Sequence, residues 1–250
     1  MKVSIITVSY NAVKTIEHTI QSVLDQDYPD IEYVIVDGGS KDGTVEIIQQ
    51  KEGQVARWVS EPDKGIYDAM NKGVSLATGD LIGILNADDF YMDHQVISKV
   101  VATIQAANAD SLYADLQYVA QDNISKVIRT WRSGQYAKGL FLEGWMPPHP
   151  TFFLKKSCYE KFGTYNLELR SAADYELMLR MLHKEDISVA YLPEIITQMR
   201  AGGTSNASMK NRIKANREDR KAWEMNGLKP KWYTLIKKPL SKLGQFAKRN

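Results

Sequence analysis

GDLIGILNADD, residues 79–89, joins a short apolar run to one amide and two adjacent carboxylates. The apolar run, residues 81–85, lies between turn-forming residues, which predicts a central strand covered on both faces of its sheet. Loops at the carboxyl ends of such strands are where open α/β sheets bind their ligands. Because Asp88 and Asp89 would repel each other and lose hydration there, a bound cation would offset a real cost.

The same two acids also have an interpretation that needs no ligand. Asp88 and Asp89 are suitable capping residues for a following helix, whose apolar positions begin at Val96. From this segment alone, metal or phosphate chemistry and helix capping are equal alternatives.

Composition indicates a globular protein with a full hydrophobic core. The chain has 250 residues, of which 44% are hydrophobic and 25% charged, as in one large domain or a domain with an appendage. Its net charge of +2 says little about partners. The single cysteine, Cys158, excludes an internal disulfide and is expected to be a buried small hydrophobe in a reducing compartment.

No targeting or membrane-spanning segment is recognised in the sequence. The apolar residues 1–9 are too short for a signal peptide, and no run approaches the ~20 apolar residues of a membrane span. We therefore expect a cytoplasmic protein, either soluble or peripheral on the inner face of the plasma membrane.

Strand and helix patterns alternate through the first hundred residues. Strands are predicted at residues 3–8, 33–36, 57–60 and 81–85, and helical apolar spacing follows each of them. This alternation predicts an α/β fold with a doubly wound, mostly parallel sheet. The polar residues that follow the strand ends, and that one sheet edge would gather, are Tyr10, Asp37, Asp63 and Asp88. Because glycine-rich phosphate motifs are absent, a phosphorylated ligand would need a metal bridge.

Four motifs, in this order and spacing, resemble those of the family 2 glycosyltransferases of the GT-A fold. They are SIITVSYNA (4–12), IVDGGSKDGT (35–44), SEPDKGIYDAMNKG (60–73) and LIGILNADD (81–89). The resemblance covers residues 1–120 and thins to short islands up to about residue 205. The third motif is especially similar to bacterial enzymes that build surface polysaccharides on a lipid carrier.

The resemblance implies a division of the chain into a GT-A domain and an extension. The implied boundaries are a nucleotide-sugar-binding half over 1–110, an acceptor half over 111–205, and a helical, basic C-terminal extension over 206–250. The function it implies is inverting transfer of a hexosyl or N-acetylhexosaminyl group. The donor would be a UDP- or GDP-sugar, and the acceptor a saccharide hydroxyl on a polyprenyl carrier in bacterial cell-surface polysaccharide biosynthesis.

The resemblance also implies a set of donor-binding residues, namely Val8, Ser9, Tyr10, Asp37, Asp63, Lys64, Asn86, Asp88 and Arg200. Ser9 and Tyr10 would line the nucleotide base, and Asp37 would hold the base or the ribose. Two positions depart from the family. Gly38 stands where many relatives have a second acid, and Asn86 replaces the first acid of the Asp-x-Asp metal motif. An amide oxygen still suits a hard cation but adds no charge.

A divalent cation, Mn²⁺ or Mg²⁺, is implied at the end of the fourth strand. Asp88 would be its ligand, together with Asp89. His149 is a third candidate for a metal ligand or a diphosphate contact, because the prolines around it fix an extended loop. A loop histidine is more often a structural hydrogen-bonding residue, so both interpretations stay open.

SAADYELMLRML, residues 171–182, predicts a helix with acids in its first turns. In the resembling family the catalytic base lies in a Glu-Asp pair before such a helix. Here Ala173 precedes Asp174, so the resemblance implies Asp174 as catalytic base, with Glu176 as the alternative. The residues alone favour stabilisation of the helix dipole by these acids, worth roughly 0.3–1 kcal/mol.

The remaining second half predicts strands and a loop. Strands are predicted at 112–119, 126–131 and 187–192, the first two forming a hairpin. MRAGGTSN, residues 199–206, resembles a mobile family loop that closes over the donor. There Arg200 would contact phosphate, and Gly202 and Gly203 would supply a hinge or a simple turn.

Residues 229–250 contain seven Lys or Arg and no acid, interleaved with aromatic and aliphatic residues. This composition suits a segment on anionic lipid, where each basic residue contributes roughly 1 kcal/mol. A solvated or disordered tail is the alternative. Nucleic acid is not expected as a partner, because no recognised binding motif is present.

Two other classes of function compete with the transferase. A sugar-nucleotide pyrophosphorylase would need a glycine-rich, basic N-terminal loop, and the loop here is VSYNAVK. A non-catalytic family member that binds a partner or a carbohydrate is the second alternative, since acids are missing at Gly38, Asn86 and Ala173.

Overall fold

The structure is a computed structural model that describes residues 1–202 and 209–241. Its strands are β1 (Val3–Ser9), β2 (Ile31–Asp37), β3 (Arg57–Ser60), β4 (Leu81–Asn86), β5 (Asp89–Tyr91), β6 (Ser111–Val119), β7 (Val127–Trp131), β8 (Phe153–Lys155) and β9 (Val189–Arg200). Its helices are α1 (Ile16–Leu24), α2 (Thr44–Gln50), α3 (Ile66–Leu76), α4 (Val96–Ala107), α5 (Lys156–Phe162), α6 (Ala173–Met178), α7 (Met209–Met225) and α8 (Thr234–Ser241). A π-helix over Leu179–Lys184 continues α6.

All described strands belong to one mixed sheet in the order β3-β2-β1-β4-β8-β6-β9-β5, with β7 paired to β6. The first four neighbours, β3, β2, β1 and β4, are parallel, as the alternation of strands and helices predicts. The second half is mixed, because β8 is antiparallel to β4 and β6 while β9 is parallel to β6. The predicted α/β fold with a mostly parallel sheet is confirmed.

The central strands are covered on both faces, as their continuous apolar runs predict. Every residue of β1 is buried. One face packs Ile6 and Val8 with Met70 and Val74 of α3 and Leu177 of α6, and the other packs Val3 and Ile5 with Ile16 of α1 and Val100 of α4. Gly73 is required for this packing, since a Cβ there would collide with the Ile6 side chain. Cys158 is buried, as expected.

The register of the parallel strands aligns their carboxyl ends. Ser9 of β1 is paired with Asp37 of β2, and Asp37 with Ser60 of β3. On the other side of β1, Val8 is paired with Asn86 of β4. The segments that follow these strand ends therefore form one edge, which we call the carboxyl rim (residues 9–11, 37–40, 60–64 and 86–88).

The chain after β4 differs from the sequence-based expectation. Asp89 begins β5, a three-residue strand antiparallel to β9 that the sequence did not predict. The Thr19 hydroxyl holds this segment by donating to the carbonyl oxygens of Ala87, at 2.9 Å, and Asp89, at 2.7 Å. Because α4 begins only at Val96, after Gln95, the helix-capping interpretation of Asp88 and Asp89 is wrong.

Helices α7 and α8, which lie in the described part of the C-terminal region, pack against the second half of the chain. Lys231 and Lys237 form ion pairs with Glu143 at 3.0 and 2.6 Å, and Lys238 pairs with Asp219 at 2.7 Å. Residues 203–208, which include Gly203 and the second half of the predicted 199–206 loop, and residues 242–250 lie outside the described residues. Among the residues that are described, no helix is both long and apolar enough to cross a bilayer.

Candidate active site

Asp37, at the end of β2, is fully buried and organises the turn that follows it. Its carboxylate accepts hydrogen bonds from the hydroxyls of Ser9 (2.9 Å), Ser40 (2.5 Å) and Ser60 (2.7 Å) and from the backbone N–H groups of Gly39 (3.0 Å) and Ser40 (2.8 Å). Burial alone would raise the pKa of Asp37, but these donors outweigh it and lower the pKa. The charged carboxylate is therefore engaged within the protein and ties three strand ends together.

Gly38, Tyr10 and Asp63 form a slot at the carboxyl rim. The Tyr10 side chain is 68% exposed, although it is a large aromatic residue. A Cβ on Gly38 would lie 2.5 Å from Asp63 Oδ2 and 3.3 Å from the Tyr10 ring. The other oxygen of Asp63, Oδ1, accepts the backbone N–H of Gly65 at 2.8 Å. The carboxylate of Asp63 thus occupies the space next to residue 38 that the glycine leaves open.

The other predicted donor-binding residues of this part of the rim differ in accessibility. Val8 is buried in the core, and its carbonyl oxygen accepts the N–H of Ala87 at 3.2 Å. The Ser9 hydroxyl is directed to Asp37. Lys64 is exposed, and within residues 1–202 and 209–241 its ammonium group forms no ion pair. Of these three side chains, only Lys64 extends into solvent.

The candidate cation site lies at the end of β4. Asn86 Nδ2 donates to Asp89 Oδ2 at 3.1 Å, so the amide orients the buried acid. The remaining oxygens, Asn86 Oδ1 and Asp89 Oδ1, are buried and have no hydrogen-bond partner in the described part of the chain. Burial raises the pKa of Asp88, and burial together with the neighbouring charge of Asp88 raises the pKa of Asp89 well above its usual range.

These observations fit a hard divalent cation. Unpartnered buried oxygens next to two acids are costly, and a cation would favour the charged carboxylates. Asp89 is fully buried whereas Asp88 is half-buried, so Asp88 is the carboxylate open to the rim. No group of three His, Cys, Asp or Glu side chains suited to a metal occurs among the described residues. The site therefore suits Mg²⁺ or Mn²⁺ completed by water and phosphate oxygens.

Arg200, at the end of β9, is 8% exposed and lies beneath this site. Its Nη1 donates to the backbone carbonyl of Asp88 at 2.6 Å, and its Nη2 lies 2.7 Å from His18 Nδ1. Burial and the charge of Arg200 lower the pKa of His18, so the imidazole is a neutral acceptor. These contacts fix the backbone at Asp88, and they leave the guanidinium buried rather than extended toward a phosphate. Sequence reasoning missed His18, since nothing in α1 marks it as a partner of β9.

His149 is buried, and its hydrogen-bond partner is not one of the residues of the candidate cation site. Its Nε2 is 2.8 Å from the Tyr165 hydroxyl. Burial lowers the pKa of His149, and the negative charge of Asp174 opposes that shift. The nitrogen that was a candidate metal ligand is thus occupied by Tyr165, close to the candidate base.

Asp174, in the first turn of α6, is half-buried. Its Oδ1 accepts the Tyr67 hydroxyl of α3 at 2.9 Å, and no described residue donates to its Oδ2. Glu176, the alternative base, is buried and pairs with Arg180 at 2.9 Å, and it accepts Asn226 Nδ2 at 2.9 Å. Asp174 therefore has an available oxygen, whereas Glu176 is held in a structural network.

Tyr118 of β6 links the two candidate centres. Burial raises the pKa of Tyr118 above its usual value. The positive charge of Arg129 opposes this rise, and the negative charges of Asp89 and Asp174 add to it. Asp89 and Asp174 therefore both lie within electrostatic range of one tyrosine.

The fold is shared with solved glycosyltransferases. S. aureus TarS 1–349, in complex with UDP-GlcNAc, aligns with a TM-score of 0.71 and 18% identity over 90% of this chain and 65% of that chain. The mannosyltransferase PcManGT from Pyrobaculum calidifontis, in complex with GDP-Man and Mn²⁺, aligns with a TM-score of 0.67 and 18% identity over 99% of this chain and 70% of that chain. The chain thus spans slightly less than two thirds of the TarS chain. At these identities the likeness is one of fold, and the fold is GT-A.

Sequence relatives define the family. An uncharacterized glycosyltransferase from Mycobacterium tuberculosis is 34% identical over 180 residues, which are 71% of this chain and 68% of that protein. A PGL/p-HBAD biosynthesis glycosyltransferase from Mycobacterium bovis is 28% identical over 208 residues, 81% of this chain and 78% of that protein. The profile of Glycosyl transferase family 2 matches residues 4–166. The chain belongs to this family and is a glycosyltransferase, which confirms the resemblance of its motifs.

Proposed function

We propose that the protein is an inverting glycosyltransferase that moves a hexosyl or N-acetylhexosaminyl group from a UDP- or GDP-sugar to a saccharide hydroxyl. The observation that carries this proposal is a pair of incompletely satisfied acidic groups: the half-buried carboxylate of Asp88 lies next to two unpartnered buried oxygens, and no described residue donates to Asp174 Oδ2. Structures of the same fold bind the implied donors, because TarS was solved with UDP-GlcNAc and PcManGT with GDP-Man and Mn²⁺.

The chemistry assigned to these residues is a direct displacement. Asp174 Oδ2 accepts the proton of the acceptor hydroxyl as that oxygen attacks the anomeric carbon on the side opposite the diphosphate. The new glycosidic bond forms while the bond from the anomeric carbon to the diphosphate oxygen breaks, as in inverting glycosidases, with no covalent enzyme intermediate. Asp88, with Asn86 Oδ1, would hold a divalent cation. When bound, the cation neutralises the charge that develops on the leaving diphosphate.

Recognition of the nucleotide base belongs, in this proposal, to the slot of Tyr10, Gly38 and Asp63 rather than to Asp37. The carboxylate of Asp37 already accepts five hydrogen bonds from the protein, which leaves it little capacity for a ligand. Asp63 lies where an acid at residue 38 would project, and its carboxylate can accept an N–H of uracil or guanine. The exposed Tyr10 ring offers an apolar face for the base.

Replacing Asp63 by Asn is expected to weaken binding of the preferred nucleoside diphosphate about tenfold or more, since hydrogen bonds to charged groups contribute about 1.5–3 kcal/mol. Calorimetry with UDP and GDP measures the change. Glu61→Gln is the matched control, because Glu61 lies in the same segment and its side chain, 59% exposed, is paired with Lys72 at 2.8 Å. Equal affinities of the Asp63→Asn variant and the wild type would remove Asp63 from base recognition.

The proposed acceptor is a saccharide on a polyprenyl carrier, at an anionic membrane surface on the cytoplasmic side. One relative carries a name that assigns it to PGL/p-HBAD biosynthesis. Trp232 is 82% exposed and lies beside Lys231, a combination suited to the lipid interface. The ion pairs of three lysines with Glu143 and Asp219 reduce the charge available to lipid. Co-sedimentation with anionic vesicles tests this surface, and an unbound protein at low salt would exclude it.

A panel of UDP- and GDP-sugars tests the proposed activity. The release of nucleoside diphosphate in the presence of Mn²⁺ is measured for each donor. We expect turnover with one nucleotide class, because the base slot selects between uracil and guanine. If no donor is bound or turned over, the alternative of a non-catalytic family member is favoured instead.

A further inference from the structure

Helix α3 presents two polar side chains, one turn apart, to the second half of the chain. The Tyr67 hydroxyl donates to Asp174 Oδ1 at 2.9 Å. Four residues later, Asn71 Nδ2 donates to the Tyr165 carbonyl at 2.8 Å, and Asn71 Oδ1 accepts the Tyr165 N–H at 2.9 Å. Residues four apart lie on the same face of a helix. One face of α3 therefore holds both the candidate base and the backbone of the segment that precedes α6.

The position of the Tyr67 hydroxyl is fixed by packing. The Tyr67 ring is buried and stacks on the Tyr165 ring, with centroids 5.8 Å apart and an interplanar angle of 19°. Tyr165 is itself held by His149, at 2.8 Å. Burial and the negative charge of Asp174 raise the pKa of Tyr67 well above its usual range, so the hydroxyl stays protonated and is the donor.

We propose that Tyr67 is a positioning residue for Asp174: its hydroxyl binds Oδ1, fixes the orientation of the carboxylate and leaves Oδ2 free for the acceptor proton. The inference rests on the proposed role of Asp174 as base. A base held in one orientation by a packed partner is closer to the geometry that proton transfer needs. Because α3 begins at Ile66, two residues after the 60–64 segment of the carboxyl rim, it also connects the base to the donor-binding side.

Several titratable groups from different elements surround Asp174. The titratable residues that respond to the charge of Asp174 are Tyr67 on α3, Tyr118 on β6, His149 before β8 and Tyr165 before α6. Glu218 of α7 adds a further negative charge near Tyr67. Among residues 1–202 and 209–241, Tyr67 alone donates to the carboxylate, so removal of its hydroxyl affects Asp174 in a way that the other residues of this set do not reproduce.

The test is Tyr67→Phe, which keeps the ring and its stack on Tyr165. Water can reach the half-buried Asp174, so we expect the variant to fold, with an unfolding midpoint near that of the wild type. We expect kcat to fall roughly tenfold or more, as for loss of a hydrogen bond to a charged group. The acid limb of the kcat–pH profile should move to higher pH, because the carboxylate loses a donor that favours its charged form. The affinity for donor should not change.

Tyr28→Phe is the matched control, since it removes a tyrosine hydroxyl that donates to the Met1 carbonyl at 2.7 Å and has no contact with Asp174 or its partners. It should leave the acid limb in place. A shift of similar size in this control, or an unchanged kcat and pH profile for Tyr67→Phe, would overturn the proposal.

A double-mutant cycle separates positioning from a general structural role. In the Asp174→Asn background, Tyr67→Phe should change the residual rate by less than about twofold, because there is no base left to position. A loss equal to that in the wild-type background would overturn the proposal. If Asp174→Asn alone has a near-normal rate, the proposed base itself fails. If that variant is inactive but Tyr67→Phe is neutral, only the role of Tyr67 fails.

Discussion

Replacing Asp174 by Asn is expected to lower kcat roughly 100- to 10,000-fold, the range typical of removing a general base. The amide keeps the size of the side chain, and its oxygen can still accept the Tyr67 hydroxyl at the position of Oδ1. It cannot accept the proton of the acceptor hydroxyl. Donor affinity should therefore survive while turnover is lost. The measurement is release of nucleoside diphosphate under donor saturation, with donor binding followed by calorimetry.

Glu168→Gln is the control for this variant. Glu168 lies on the segment before α6 and is 68% exposed in its ion pair with Lys221, so it has no predicted part in the chemistry. Its kcat should match that of the wild type. A near-normal kcat for Asp174→Asn would remove Asp174 from the mechanism.

Replacing Asp88 by Asn is expected to abolish most of the activity and to raise the Mn²⁺ concentration needed for half-maximal rate. The change removes the charge of the carboxylate that is open to the rim, where Asn86 supplies an uncharged oxygen and Asp89 is fully buried. The local backbone should be retained, because Arg200 and Ala87 bind main-chain atoms rather than the Asp88 side chain. Rate measured against Mn²⁺ concentration tests this expectation.

Asp93→Asn serves as the matched control for Asp88→Asn. Asp93 lies five residues later, is largely solvent-accessible and pairs with Lys99 at 3.1 Å. It should leave the Mn²⁺ dependence unchanged. If Asp88→Asn has the wild-type dependence on Mn²⁺, then Asp88 is not the cation ligand.

The first half of the fold could be predicted because its strands carry continuous apolar runs that end in turn residues. Residues 3–8, 33–36, 57–60 and 81–85 all lie in observed strands, and β3 has the predicted bounds. β5 could not be predicted, since three residues are too few for a periodic pattern and their pairing partner, β9, lies about a hundred residues away. Long-range pairing of this kind depends on the tertiary fold.

The position of the site could be predicted from the sequence, but the roles of its residues could be predicted only in part. The rim that gathers Tyr10, Asp37 and Asp63 follows from the parallel strands, whose ends must meet at one edge. Five donors within the protein bind the carboxylate of Asp37, and the carboxylate of Asp63 lies next to Gly38. Both features depend on the geometry of the loops, which the spacing of residues along the chain does not determine.

The roles in the second half depend on contacts between distant segments. Arg200 is buried against His18, and Glu176 is paired with Arg180, although both had been candidates for direct contact with ligands. One weak sequence signal points to Tyr67. It lies four residues before Asn71, which places the two side chains on the same face of a helix. Its partner, Asp174, lies 107 positions away in the chain, and only the folded structure brings the two together.

The central claim is that the carboxyl rim binds a nucleoside diphosphate through a cation held at Asp88. Calorimetric titration of the whole protein with UDP and GDP, first with Mn²⁺ and then with EDTA, tests it most directly. We expect one of the two nucleotides to bind with Mn²⁺ and to bind about tenfold more weakly, or not at all, with EDTA. Equal affinity in both buffers, or no binding of either nucleotide with Mn²⁺, would contradict the claim.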